Sequence, residues 1–198
     1  MIDIAPTILK CAGIEVPEAF QGYSFEQLLT NPDEPFRNHV FAEHNWHDYE
    51  AHERMVRNKY FMYIRNSRPN HPQLGPADAI GSPSYKELKS LQAQGNLTAI
   101  QADYFMAPRP REELYDCRHD SLQLLNVVSV PEYQSALFEM RTILIKWMEV
   151  TGDNIPGNLT KDWYLMEPGY IRTYQHGVRG EMPGASLNAA KNNNKGIF

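Results

Sequence analysis

Tyr133, Leu137, Met140, Leu144, Trp147 and Met148 recur at steps of three and four, and this spacing draws one apolar stripe along a single long helix. Ser129-Val130-Pro131-Glu132 reads as a capping box ahead of that helix, and Gly152 reads as its stop. A helix with one apolar stripe needs a covering layer, and a sheet is the usual one. A partner groove or a cofactor box is the rarer use of such a stripe, so these residues are assigned no chemistry.

Strand-like segments can supply the layer. Residues 38–44 form a plausible strand, and residues 54–57 and 60–65 flank Asn58-Lys59, a two-residue connection whose Asn can take the positive φ of a hairpin turn. Residues 113–116 offer another strand. The expected fold is α+β: a small antiparallel sheet packed by a long C-terminal helix.

The flanks read differently. Residues 3–13 predict a short helix, with Asp3 as its cap, Pro6 in the first turn and Gly13 as its end. Its apolar side (Ile4, Ile8, Leu9, Cys11, Ala12) wants a partner layer, yet no strand precedes it. The expectation is a chain that starts inside a larger fold, with exposed apolar surface at Ile4 and Ile8. A second short helix is predicted over 24–30, and Asn31-Pro32-Asp33-Glu34-Pro35 marks a change of subdomain near residue 36. Residues 67–84 hold four prolines and two glycines, too many breakers for a regular element, and such long loops often carry specificity. Helices follow at 85–94 and 99–106. From Gly177 onward, Gly, Asn and Ala dominate without an apolar period, which predicts a tail. The organisation expected is therefore 1–36, 37–152 and an extended tail over 153–198.

Composition narrows the function classes. With 42% apolar and 22% charged residues, the 198-residue chain has the make-up of one ordinary soluble domain. A formal charge of -5, with no Lys/Arg block interleaved with aromatics, argues against a nucleic-acid partner. No apolar run approaches the roughly 20 residues of a membrane span, and the first residues lack the order of a signal peptide. Cys11 and Cys117 have neither C-x-x-C nor zinc-finger spacing, so one bridge and two free thiols are equally compatible with the sequence. Asn96 and Asn158 each open an Asn-Leu-Thr sequon, usable only on a eukaryotic secretory route.

The densest polar cluster is Glu43-His44-Asn45-Trp46-His47-Asp48, followed by His52 and Arg54, at the end of a predicted strand. One reading makes His44, His47 and Asp48 metal ligands, although spacing alone does not make them converge. A second has imidazoles and an Arg donate to sulfate or carboxylate oxygens while the carboxylates accept from sugar hydroxyls. The third is structural: a polar strand end whose histidines bond to backbone. No G-x-S-x-G, P-loop or H-E-x-x-H motif supplies a nucleophile or metal site, so no residue is assigned as catalytic.

Three segments, in order, resemble the C-terminal part of the formylglycine-dependent sulfatases. Asp3-Ile4-Ala5-Pro6-Thr7-Ile8-Leu9, with Ala12-Gly13-Ile14 and Gln21-Gly22-Tyr23-Ser24-Phe25, is similar to the family's Asp-x-x-Pro-Thr-Leu-Leu, Ala-Gly and Gly-x-Ser-Leu pattern. Arg54-Met55-Val56-Arg57 leading into Lys59-Tyr60 resembles its strand pair. Glu112-Glu113-Leu114-Tyr115-Asp116, with Asp120, Asn126 and the helix to Trp147, resembles its Glu-Leu-Tyr-Asp-Leu, Asp-Pro, Asn-Leu segment. Ser121 and Val127 depart from the usual Pro and Leu. Within the family, the Glu- and His-rich strand end and Pro83-Ser84-Tyr85-Lys86-Glu87-Leu88 are most similar to the N-sulphoglucosamine sulphohydrolase (heparan N-sulfatase) group.

The resemblance implies the C-terminal subdomain of an alkaline-phosphatase-like α/β sulfatase, with residues 1–36 ending the large domain. It implies a formylglycine nucleophile beside calcium in the complete enzyme. Neither Cys11 nor Cys117 sits in the Cys/Ser-x-Pro/Ala-x-Arg maturation motif, so both groups are expected from an N-terminal catalytic segment. Glu43, His44, His47 and Asp48 are then expected to line the cleft for a sulfated saccharide, in the periplasm, outside the cell or in a lysosome. The contrasting readings are a non-catalytic glycan- or protein-binding module and a phosphate-ester hydrolase of the same superfold.

Overall fold

The structure is a computed structural model that describes residues 2–45, 51–71, 76–157, 164–165, 171–172 and 195. Helix α1 (Ile4–Cys11) and a 3₁₀ turn (Glu26–Leu29) precede strands β1 (Val40–His44), β2 (Glu53–Arg57) and β3 (Phe61–Asn66). Helices α2 (Ala77–Ile80), α3 (Pro83–Gln94) and α4 (Ala99–Asp103) lead to β4 (Glu112–Asp116), and α5 (Gln134–Thr151) follows. The four strands form one antiparallel sheet in chain order, β1-β2-β3-β4. Within the expected tail, β5 (Tyr164–Leu165) pairs antiparallel with β6 (Ile171–Arg172).

The core lies between this sheet and α5. Phe41, Val56, Tyr63 and Leu114 stand side by side across β1 to β4, because each is the register partner of the next. Against that row α5 packs Leu137, Met140, Leu144 and Met148, all buried, while Trp147 stacks on Phe41 with ring centroids 5.0 Å apart. Gly152 ends α5 at φ +73°, the left-handed cap that glycine adopts without a Cβ clash.

Five local expectations are corrected. The box at Ser129–Glu132 does not form: Pro131–Tyr133 is a 3₁₀ turn closed by the Tyr133 N–H on the Val130 carbonyl at 3.1 Å, and Gln134 Nε2 donates to the Val128 and Val130 carbonyls. A Thr98–Gln101 capping box forms instead at α4, which ends at Asp103, short of 106. Asn58 does not take positive φ; its Oδ1 accepts from the N–H groups of Tyr60 and Phe61, so a side-chain acceptor shapes a three-residue connection. Asp3 makes no side-chain cap, because its carboxylate is taken by Arg37 (Nε–Oδ2 2.9 Å) and the Tyr23 N–H (2.8 Å). Residues 67–84, read as a loop, include the single turn of α2.

Around α1 the chain makes a close approach. Gly22 lies so near the backbone that a Cβ there would stand 2.1 Å from the Ile2 carbonyl oxygen. Thr7 Oγ1 donates to the Asp3 carbonyl and accepts from the Phe25 N–H at 3.0 Å, tying the two sides of the Asp-x-x-Pro-Thr and Gly-x-Ser segments together. The apolar side of α1 stays open, as the sequence anticipates: Ile4 is 45% and Ile8 63% exposed. Cys11 and Cys117 are free thiols. No helix of the described residues is long and apolar enough to cross a membrane.

Candidate substrate-binding site

The end of β1 carries Glu43 and His44 on opposite sides of the sheet, since successive strand residues alternate in direction. Glu43 pairs in register with Arg54 on the α5 side, and its Oε2 stands 3.7 Å from Arg54 Nη2. His44 pairs with Glu53 on the other side, its Nδ1 2.9 Å from Glu53 Oε2. His47 and Asp48, with Trp46, lie outside the described residues. Both Glu43 and His44 are exposed and available to a ligand, yet the strand does not bring them together.

Arg54 and His52 are corrected as substrate donors. Arg54 is fully buried, with Nε and Nη2 on the two carboxylate oxygens of Asp153 (2.5 and 2.8 Å) and Nη1 on the Glu53 carbonyl (2.8 Å). Its guanidinium fastens β2 to the segment that leaves α5 and, with its side chain fully buried, is out of reach of a sulfate. His52, also fully buried, lies with Nε2 3.0 Å from the Asn154 carbonyl. Burial first, and then the charge of Arg54, hold its imidazole below the ordinary histidine range. The third, structural reading therefore applies to these two residues. Among the described residues, no three His, Cys, Asp or Glu side chains converge as a metal would require.

The Leu-Tyr-Asp segment proves to be a scaffold. Asn126 Oδ1 accepts from the Leu114 N–H at 3.0 Å and the Val128 N–H at 3.1 Å, and Asp120 Oδ2 accepts from the N–H groups of Leu124 and Leu125. Tyr115 donates its hydroxyl to Glu113, and burial is the main reason its pKa is raised. Asp116 receives Arg118 through Nε and Nη2 (2.8 and 2.7 Å), and these bonds hold its carboxyl well below the usual range. These acids and amides fix the turn after β4, and none of them is left free for a reaction.

Residues 1–68 match the family model described as N-sulphoglucosamine sulphohydrolase, C-terminal. An ulvan-active sulfatase of Formosa agariphila is 37% identical over 159 residues, covering 78% of this chain and 26% of that protein. A second ulvan-active sulfatase of the same organism is 28% identical over 161 residues, covering 79% of this chain and 30% of that protein. Among solved structures, a protein in complex with its substrate D-glucosamine-2-N,6-O-disulfate is 19% identical at a TM-score of 0.48, covering 74% of this chain and 23% of that one.

The chain is similar to sulfatases over most of its length, and its first third matches the C-terminal segment of the N-sulphoglucosamine sulphohydrolase family. It spans between about a fifth and a third of the length of the curated sulfatases it matches.

Proposed function

We propose that this chain works as the C-terminal portion of a sulfatase that hydrolyses sulfate esters or sulfamates on a saccharide, and that its own residues shape the substrate cleft. The observation that carries this reading is the 37% identity to an ulvan-active sulfatase along 159 residues, joined to the family match over 1–68. In this reading Glu43, His44, His47 and Asp48 line the rim, with the imidazoles donating to sulfate oxygens and the carboxylates accepting from sugar hydroxyls. Glu43 and His44 then meet different parts of the ligand, since they stand on opposite sides of β1. A heparan-type glucosamine and an ulvan unit are the saccharides these relationships favour.

The groups that break the bond in such an enzyme, a formylglycine and calcium, do not fit the residues described. Cys11 lies on α1 ahead of Ala12-Gly13-Ile14, Cys117 ahead of Arg118-His119-Asp120, and among the described residues no three His, Cys, Asp or Glu side chains converge to hold a metal at either one. Both groups would come from an N-terminal catalytic segment, which would also cover Ile4 and Ile8. The compartment proposed is periplasmic, extracellular or lysosomal.

The test compares the 198-residue chain with the same chain joined to a sulfatase catalytic segment, on N-sulfated glucosamine, O-sulfated glucosamine and ulvan oligosaccharides. Turnover is expected only in the joined form, and His44→Asn or Glu43→Gln should raise KM there with kcat little changed. Sulfate release by the isolated chain would refute the division of labour.

A further inference from the structure

On the α5 side of the sheet, beyond the row of core residues, the described residues enclose a cavity of about 450 Å³, within the size range of small-molecule sites. Its polar wall is built by three guanidinium groups, Arg65 on β3, Arg111 just before β4 and Arg141 on α5, around the single carboxylate of Glu112. Its apolar wall is Ile145 of α5 and Ile155 beyond it.

The charges do not cancel. Arg141 holds both oxygens of Glu112, Nε on Oε1 at 2.7 Å and Nη2 on Oε2 at 2.9 Å, and the buried Tyr63 hydroxyl donates to the same carboxylate. Those bonds, Arg141's first, keep the Glu112 carboxyl ionised below the ordinary range. One of the three cations is therefore consumed. Among the described residues neither Arg65 nor Arg111 has a carboxylate within ion-pair distance: Arg65, the register partner of Glu112, adds its charge to that carboxylate but no hydrogen bond, so the N–H groups of both guanidinium groups border the space. Asn66 and Ser67, which continue β3 into the same wall, add an amide and a hydroxyl.

We propose that this cavity binds an acidic saccharide unit, with Arg65 and Arg111 gripping its sulfate or carboxylate. The oxyanion follows from the geometry: two guanidinium forks that make no side-chain hydrogen bond match planar or tetrahedral oxyanions, and Arg111 carries no carboxylate beside it. The saccharide rests on the function proposed above, and the lining agrees with it. Asn66 and Ser67 can exchange hydrogen bonds with ring hydroxyls, and the aliphatic faces of Ile145 and Ile155 suit the C–H face of a pyranose. Nothing in the strand-end reading of Glu43 and His44 uses these residues.

The test is a binding titration of the full 198-residue chain with glucosamine 6-sulfate, an unsulfated glucuronate disaccharide and inorganic sulfate, following the methyl resonances of Ile145 and Ile155. At least one acidic sugar should shift both methyls and bind more tightly than inorganic sulfate. Arg111→Gln, whose side chain is exposed and whose loss leaves the core intact, should weaken it about tenfold, as should Arg65→Gln. Exposed Arg57→Gln should leave it unchanged. Equal affinity for inorganic sulfate, unmoved methyls, or equal weakening by Arg57→Gln would each overturn the site. Hydrolysis by the joined enzyme is a separate readout: its loss with binding retained would sink the proposed function and spare the cavity, and the converse would do the reverse.

Discussion

Arg54 and Asp153 face one another through two hydrogen bonds, Nε to Oδ2 and Nη2 to Oδ1, although 99 residues separate them in the chain. The pair closes the structure at the end of α5, since Arg54 sits in β2 and Asp153 directly follows the Gly152 cap. Both side chains are nearly inaccessible, at 0% and 8% exposure, so removing one partner strands a buried charge. Asp153→Ala should therefore cost about 3 kcal/mol, and Arg54→Met with Asp153→Leu together should cost less than either single change. Urea denaturation of the three variants would check this, and additive losses would refute a coupled pair.

Gly22 gives a second prediction. A methyl group at this position meets the Ile2 carbonyl oxygen at 2.1 Å, a backbone atom that cannot swing aside as a flexible side chain would. Gly22→Ala should push residues 22–25 away from α1, breaking the Tyr23 N–H bond to Asp3 and the Phe25 N–H bond to Thr7. The expected loss is about 2 kcal/mol, read as a lower unfolding midpoint together with faster amide exchange at Tyr23 and Phe25. Unchanged exchange at those two amides would count against the close approach.

Asn126 serves β4 with both ends of its amide: Oδ1 accepts from the Leu114 and Val128 N–H groups, and Nδ2 donates to the Glu112 carbonyl at 3.4 Å. Leu114 is fully buried, so an orphaned N–H there has no water to turn to. Asn126→Ala should destabilise by about 2 kcal/mol, whereas Asn126→Asp keeps the acceptor, gives up only the long bond to the Glu112 carbonyl, and should lose less. Equal losses in chemical denaturation would mean that the side chain's bulk, and not its oxygen, is what matters.

The long helix and its sheet are legible in the sequence because both rest on periodicity. The stripe from Leu137 to Met148 has the helical step, and Val56, Tyr63 and Leu114 are the inward residues of alternating strands. Asp3, Asn58 and Ser129 are misread for one shared reason: a local rule assigns each a cap or a turn, while the real partner is Arg37, a neighbouring pair of amides, or nothing. Pairings such as Asp3 with Arg37 leave no trace in spacing. The strand-end cluster is a different case. Glu43 and His44 look like one site because they are adjacent, but a period of two sends adjacent strand residues to opposite faces, a constraint already present in the sequence. The cavity draws its lining from residues 63–67, 111–112, 141–145 and 155, four separate stretches, and only Glu112 among them opens a segment that the sequence singles out.

His52 supplies a pH-dependent prediction. A carbonyl can only accept, so the contact with Asn154 fixes the imidazole proton on Nε2 and leaves Nδ1 bare, buried and without a partner among the described residues. A second proton on Nδ1 would place a buried cation beside Arg54, and the folded protein therefore resists it. The unfolded chain does not resist, and protonates His52 near its ordinary value of 6.5. The unfolded state then binds more protons, so this contribution is complete above about pH 6.5 and is lost as the pH falls from there through the lower folded value. Urea midpoints at pH 7.5 and pH 5.5 should show the drop, and His52→Gln, which keeps a donor for Asn154 but cannot titrate, should flatten it. An imidazole resonance for His52 that titrates above 6.5 in the folded protein would reverse the sign and refute the assignment.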